Sequence, residues 1–195
     1  MIIGITGGTG CGKTTLLDVI RQQGGMVLDC DAIYHELLRT DGALLDSIEA
    51  HFPGTVKNGC LDRKRLGEIV FGDEAALLML NEITHTAVKQ EVVRRLEKNP
   101  TLAAIDAIGL FESGLAQMCD ITVAVTAPIE DRVKRLMVRD GISEAYAKKR
   151  IAAQHSEQWF LERCDYSLEN DGQLDAFATK CLAFLERLRI IEEKR

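Results

Sequence analysis

Apolar and polar residues fall along this chain in blocks whose periods separate strands from helices. Ile2 to Thr6 is a short apolar run of the kind that forms a buried strand, and the glycine-rich loop Gly7 to Gly12 follows it. From near Lys13 the period lengthens. Leu16, Leu17 and Ile20 then fall on one side of a helix, which Gly24-Gly25 is placed to end in a left-handed cap. Met26 to Leu28 predicts a second strand, running out into Asp29 and Asp31. This strand–loop–helix–strand opening implies parallel pairing.

Residues about 32 to 98 read as mostly helical. Leu77, Leu78 and Leu80 precede a long amphipathic stretch with Ile83, Val88, Val92 and Leu96, closed by Asn99-Pro100. Leu102 to Leu110 and Ile121 to Val125 are apolar enough for central strands. Pro128 opens a helix on which Ile129, Val133, Leu136 and Met137 recur at helical spacing, and Gly141 stops it. Ser143 can cap a further helix through Gln154, and Tyr166 to Leu168 predicts a short last strand. The C-terminal helix carries a core stripe of Leu174, Phe177, Cys181, Phe184, Leu188 and Ile191. Five strands alternating with helices give an α/β fold with a five-stranded parallel sheet. The stretch from about 52 to 98 is too long for an ordinary connection and reads as a substrate-binding insert.

Gly7-Gly8-Thr9-Gly10-Cys11-Gly12-Lys13-Thr14 matches G-x-x-x-x-G-K-[ST] in full, between a predicted strand and a predicted helix. Glycines let such a loop wrap phosphates with its N–H groups pointing inward, and the positive end of the helix dipole faces the same anion. Lys13 is placed to reach the β- and γ-phosphates, and the Thr14 hydroxyl to ligate Mg²⁺. The fold class is therefore an α/β P-loop nucleotide-binding core. Gly8, Thr9, Gly10, Cys11, Gly12, Lys13, Thr14 and Thr15 are its expected ATP contacts.

Composition narrows the partners. The chain has 195 residues and a net charge of −6, so a nucleic-acid binder held by overall charge is disfavoured. No apolar run approaches the ~20 residues of a membrane helix. The six cysteines show no C-x-x-C pairing or zinc-finger spacing, and Met1-Ile2-Ile3-Gly4 runs straight into the glycine loop. Reduced thiols in a cytoplasmic protein are expected. Small-molecule substrates, no nucleic acid, no membrane and a monomeric state complete the expectation.

The loop alone does not select a chemistry. A GTPase would carry N-K-x-D; Glu169-Asn170-Asp171-Gly172 lacks the lysine and the spacing. Leu102 to Asp106 imitates the acid-terminated strand of an ATPase, but apolar residues resume at Ala107. Between residues 132 and 150, seven cations stand against Asp140 and Glu144. Arg132, Arg135 and Arg139 lie at i, i+3 and i+7 on one helix face. For Arg132 and Arg135 a solvated face and a lid closing over a triphosphate are equal readings; for Arg139 the lid reading is preferred. These features favour a small-molecule kinase.

The motifs and their order resemble the dephospho-coenzyme A kinase family over almost the whole chain. Ile5-Thr6-Gly7-Gly8 through Thr14 resembles its L-T-G-G-x-G-S-G-K-[ST], and Asp29-Cys30-Asp31 its D-A-D element. Leu61-Asp62-Arg63 with Leu66 and Val70-Phe71 is similar to the acceptor-domain signature, and Leu80-Asn81 with His85 to L-x-x-x-x-H-P. Leu110-Phe111-Glu112 resembles the end of P-L-L-F-E. Arg135-Leu136, Arg139-Asp140, Arg150-Ile151 and Gln154 resemble the lid, and Asn170-Asp171-Gly172 a late N-D-G. Cys11, His35, Thr86 and Ile108-Gly109 depart from the family's Ser, Arg, Pro and Pro-Leu. These departures bear on affinity more than on reaction type.

The resemblance implies one domain over residues 1–195, with an acceptor-binding insert at about 52–98 and a lid at about 139–156. It implies transfer of phosphate from ATP to the ribose 3′-hydroxyl of dephospho-CoA, with Mg²⁺. Asp31, Lys13 and Arg139 would be catalytic, Asp31 as general base. Thr6, Asp31, Arg63, His85 and Leu110 would face the acceptor. Asp31 also reads as a helix N-cap, and Asp29 is its rival as base because i and i+2 share a strand face. His85 reads equally as a histidine packed on an apolar helix face, and Glu112 as a cation partner or a cap. A kinase for another nucleoside or nucleotide acceptor, and a non-enzymatic ATP-binding switch, are the alternatives.

Overall fold

A computed structural model of the chain describes residues 1–172 and 174–193. The first strand, β1 (Ile2–Thr6), leads through the glycine loop into α1 (Lys13–Gln22) and β2 (Met26–Asp29). Next come α2 (Cys30–Thr40), α3 (Gly42–His51), β3 (Val56–Lys57), β4 (Cys60–Leu61), α4 (Arg63–Val70) and α5 (Glu74–Leu96). The chain then continues through β5 (Ala103–Asp106), β6 (Ile121–Thr126), α6 (Ile129–Asp140) and α7 (Glu144–Ala152). It ends with α8 (Glu157–Leu161), β7 (Tyr166–Glu169) and α9 (Leu174–Glu193). The main sheet has the order β2-β5-β1-β6-β7, with β1 central and its pairs to β5 and β6 parallel, as is β6 to β7. The five-stranded parallel sheet expected from the sequence is therefore present.

The chain divides into two compact units, residues 1–27 with 100–195, and residues 28–99. In the first, Ile3, Ile5, Val123 and Val125 of the sheet pack with Leu16, Leu17 and Ile20 of α1. Phe177, Cys181, Leu185 and Leu188 of α9 join the same core. Burial on both faces explains why these strands are runs of apolar residues rather than alternations. Leu174 and Ile191, assigned to the same stripe, lie outside the residues whose side chains are described. Gly4 sits between two buried isoleucines because a Cβ there would come within 2.8 Å of the Cys119 sulfur and 2.9 Å of Leu110. In the second unit α5 packs on α2, α3 and α4, burying Ile33, Leu37, Leu44, Ile48, Leu66 and Val92.

Element ends follow local chemistry. Gly24, at φ 77°, closes α1 with Gly25 N–H donating to Ile20 O at 2.9 Å and Gly24 N–H to Arg21 O at 2.9 Å, a Schellman cap. Ser143 caps α7 through Tyr146 N–H, and Gly141 ends α6 in the left-handed region, both as expected. The strand expected over Leu102–Leu110 is shorter. Its last rung is Ala107 N–H to Ile5 O, because β1 itself stops at Thr6 and offers no partner beyond. The helix expected to run to Gln154 ends at Ala152. Two features were not expected from the sequence, the β3–β4 hairpin and α8. The hairpin turns on Asn58-Gly59, both at positive φ, which is a strong two-residue hairpin signal.

Within residues 28–99, Glu91 accepts from Arg94 and Arg95, and Arg95 also donates to Glu36 at 2.8 Å. The Arg94 hydrogen bond foremost, against opposing burial, pulls the Glu91 carboxyl down to about 2. A depressed folded-state value contributes stability that is full above the ordinary glutamate range and is lost as pH falls toward 2. Denaturant unfolding of the wild type should therefore show a midpoint falling between about pH 4.5 and pH 2. Glu91→Gln should start lower at pH 7 and fall less over that window. Parallel pH profiles for the two proteins would remove this role from Glu91.

Candidate active site

The loop between β1 and α1 presents its peptide groups in an unusual way. Gly7, Gly10 and Gly12 have φ of 138°, 79° and 98°, where a side chain is strained. Among the described residues, the N–H groups of Gly10, Gly12 and Thr14 donate to no backbone acceptor outside the helix, while Lys13 N–H donates to the Cys11 thiol. They lie at the N-terminus of α1, whose cap Gly12 supplies no side-chain acceptor. Unbonded donors at the positive end of a helix dipole form a binding site for an anion. Lys13 Nζ donates to Gly7 O at 3.0 Å, so the ammonium is folded back over the loop.

The loop carbonyls are tied down by side chains from distant sequence. Arg132 Nε donates to Thr9 O at 2.9 Å. Arg135 Nη1 donates to Gly10 O at 3.2 Å and Cys11 O at 3.3 Å, and its Nη2 to Asn170 Oδ1 at 3.1 Å. Asn170 Nδ2 in turn donates to Cys11 O at 3.0 Å. Thr9 N–H donates to Gln154 Oε1 at 2.8 Å. The face of α6 expected at i, i+3 and i+7 is present, but Arg132 is neither solvated nor a lid group. It is 6% exposed and lies behind the loop, so close to Gly8 that any Cβ there would collide with its guanidinium. Periodicity finds the face; it does not say that the face meets a backbone.

The ATP contacts expected from the sequence come together as one loop, with one qualification. Cys11 is 1% exposed and its thiol packs into the core, with burial pushing its pKa up. Only its backbone belongs to the loop, and its N–H is used internally on Gly8 O at 3.3 Å. The Thr14 side chain is exposed on the first turn of α1. Thr6 is fully buried and its hydroxyl donates to Ile108 O at 3.1 Å; Leu110 is also fully buried. Asp106, set aside in the sequence because apolar residues resume after it, ends β5 opposite Ile5 of β1. Its charge reaches the Cys11 thiol, which places it near the loop. Its position on a strand beside the loop strand was the signal that could have found it.

Arg139 is exposed, and donates to Asp140 at 2.7 and 3.0 Å; Arg150 donates to the same carboxylate at 2.6 Å. The Arg139 hydrogen bond foremost pulls the Asp140 carboxyl down to about 2. Glu112 Oε1 lies 2.7 Å from His155 Nε2, a side-chain hydrogen bond rather than a helix cap. In residues 28–99 the two acids separate. Asp29 is the N-cap of α2 and accepts from Ala32 N–H at 3.0 Å, whereas Asp31 is exposed in the first turn. Arg63 Nη2 lies 3.3 Å from His35 Nδ1, and His85 sits half-buried midway along α5.

Comparison with known proteins defines the class first. Shikimate kinase from Bacteroides thetaiotaomicron has the same fold at a TM-score of 0.57 and 15% identity, covering 95% of this chain and 98% of that one. The phosphate loop and this sheet are those of a P-loop nucleotide-binding fold. A family model described as dephospho-CoA kinase matches residues 1–176. A dephospho-CoA kinase of Latilactobacillus sakei is 34% identical, with 94% of each chain covered. A Thermus thermophilus protein of known structure superposes at a TM-score of 0.81 with 33% identity, over 96% of this chain and 97% of its own. The chain belongs to the dephospho-CoA kinase family, a family of kinases that transfer phosphate from ATP to dephospho-CoA.

Lys13→Ala removes the one side-chain cation that the loop itself carries. It should lower turnover by about 10²–10³ while leaving the folded spectrum intact. Steady-state ADP release with far-ultraviolet circular dichroism checks it; wild-type turnover in a folded variant would detach the loop from the chemistry.

Proposed function

We propose that this chain phosphorylates the ribose 3′-hydroxyl of dephospho-CoA with ATP, giving ADP and coenzyme A, through Lys13, Asp31 and Arg139. The observation that carries the reading is the loop whose Gly10, Gly12 and Thr14 N–H groups are left unbonded at the start of α1, in a chain of this family. Gly8 to Thr15 hold the triphosphate. Asp31 is the general base: Asp29 is occupied as a helix cap, so Asp31 is the acid of the pair left exposed. The carboxyl ends of parallel strands line the ligand crevice in this fold, and β2 ends at Asp29, with Asp31 in the first turn of the helix that follows. Residues 52–98, with Arg63 and His85, bind the acceptor; residues 139–156 are the lid.

Mg²⁺ fits the residues present. Among the described residues there is no cluster of three His, Cys, Asp or Glu side chains that would cage a metal. Thr14 offers a single exposed hydroxyl at the helix start. A cation that keeps its waters and takes most other ligands from phosphates suits such a site. It would neutralise charge on the triphosphate. The chain acts as a monomer in the cytoplasm in this reading; among the described residues no helix is long and apolar enough to cross a membrane.

ADP release measured with dephospho-CoA, nucleosides, nucleoside monophosphates and shikimate should give the highest kcat/KM with dephospho-CoA. A nucleoside monophosphate above it would make the chain a kinase for another acceptor. Asp31→Asn should keep ATP binding and lose at least about a hundredfold in single-turnover transfer, with Asp29→Asn milder and its cost mainly in stability. Equal transfer by wild type and Asp31→Asn would assign the base elsewhere. Arg139→Ala should depress kcat by about 10³ or more with a smaller change in ATP affinity, as for arginines that act in the transition state. Weakened ATP binding at an unchanged kcat would make Arg139 a ground-state contact.

A further inference from the structure

Thr9 is held on both sides by one helical pair. Its C=O accepts from Arg132, near the start of α6, and its N–H donates to Gln154, two residues beyond α7. The two helices pack through Val133, Leu136 and Ala147, with Ile142 and Ile151 against them, so their far ends are mechanically joined. Thr9 lies between Gly8 and Gly10, the latter at φ 79°. Glycines on both sides leave the flanking peptide planes free to rotate, and such freedom must be given up before the following N–H groups can converge on a phosphate.

Gln154 is itself fixed. Its neighbour His155 stacks on Trp159 at 3.9 Å between centroids and 6° between planes, and pairs with Glu112. The Arg163 guanidinium sits 4.3 Å from the Trp159 ring centre. The carboxamide oxygen is thus presented to the loop from a braced segment rather than from a wandering side chain.

We propose that Gln154 is a positioning residue for the nucleotide, which sets the Gly8–Thr9 peptide plane and couples the orientation of the phosphate loop to that of the α6–α7 pair. It touches no reacting atom. Its effect is on how much ordering the loop must undergo when ATP arrives, so it tunes ATP affinity and leaves acceptor affinity alone. The proposal rests on the reading of the loop as the ATP site.

Trp159 is the chain's single tryptophan and lies beside this contact, so its fluorescence reports nucleotide binding without turnover. The test uses the full chain carrying Gln154→Met, which keeps length but removes the acceptor, and Gln154→Ala as a second variant. ATP is titrated against Trp159 fluorescence with no acceptor present, initial rates give both KM values, and thermal unfolding is followed alongside. Both variants should raise the ATP Kd and KM about three- to tenfold, the worth of one backbone hydrogen bond. The dephospho-CoA KM should stay within about twofold, and Tm within about 2 °C. A merely structural residue would lower Tm and kcat at unchanged ATP KM, and that result overturns the proposal. If wild type and Gln154→Met bind ATP equally, the proposal falls and the ATP site stands. If the wild type binds no ATP, the site reading falls and the proposal with it.

Discussion

The structure turns on a stretch of backbone that must not satisfy its own donors. Buried and half-buried peptide groups normally find partners within the chain, yet the loop N–H groups of Gly10, Gly12 and Thr14 are kept from doing so among the described residues. Glycine backbone conformations turn those groups the same way, but conformational freedom alone would let the loop collapse on itself. What prevents collapse is that the carbonyls on the opposite side are held: Thr9 by Arg132, Gly10 and Cys11 by Arg135, and Cys11 again by Asn170. With the acceptors occupied by guanidinium and carboxamide donors, the N–H groups have only an incoming anion to meet.

The sheet explains how residues more than a hundred positions apart reach one loop. β1 is central, so the loop leaves the sheet beside the carboxyl ends of β5 and β6. β6 feeds α6, which brings the arginines; β7, next to β6, ends at Glu169, and Asn170 N–H extends the ladder onto Thr126 O at 2.8 Å. Along α6 the spacing of the three arginines then grades their exposure. Arg132 is buried under the loop, Arg135 is half-covered at its side, and the Arg139 side chain is 60% exposed. One helix face thus divides into a part that serves the backbone and a part left for solvent or ligand.

Legibility in the sequence followed the range of each interaction. The phosphate loop, its flanking strand and helix, and the caps at Gly24, Gly141 and Ser143 are local patterns, and each was readable from a few adjacent residues. Asn58-Gly59 is an equally local signal, but it lies in a stretch whose apolar period predicts helix, and there it turns the β3–β4 hairpin. Asp29 and Asp31 could not be told apart by strand alternation, because the chain stops being a strand between them: α2 begins at Cys30 and makes Asp29 its cap. The Glu112–His155 pair, the Thr9–Gln154 contact and the burial of Arg132 depend on elements meeting across the fold, and neither hydrophobic period nor charge pattern encodes such meetings.

The ion cluster at the end of α6 bears on how the lid of the proposed reading would act. Arg139 and Arg150 share the Asp140 carboxylate, which stays charged down to about pH 2. An exposed pair of this kind is worth little in water, and Asp140 keeps Arg150 when Arg139 leaves. Releasing Arg139 therefore strands no charge. A phosphoryl oxygen offers the same forked geometry with more negative charge than a carboxylate, and desolvation on closure strengthens that contact. Asp140 thus holds the arginine in a defined place without competing against the triphosphate. A buried partner would have locked Arg139 away, and no partner would have left its long side chain to lose rotamer freedom on closure.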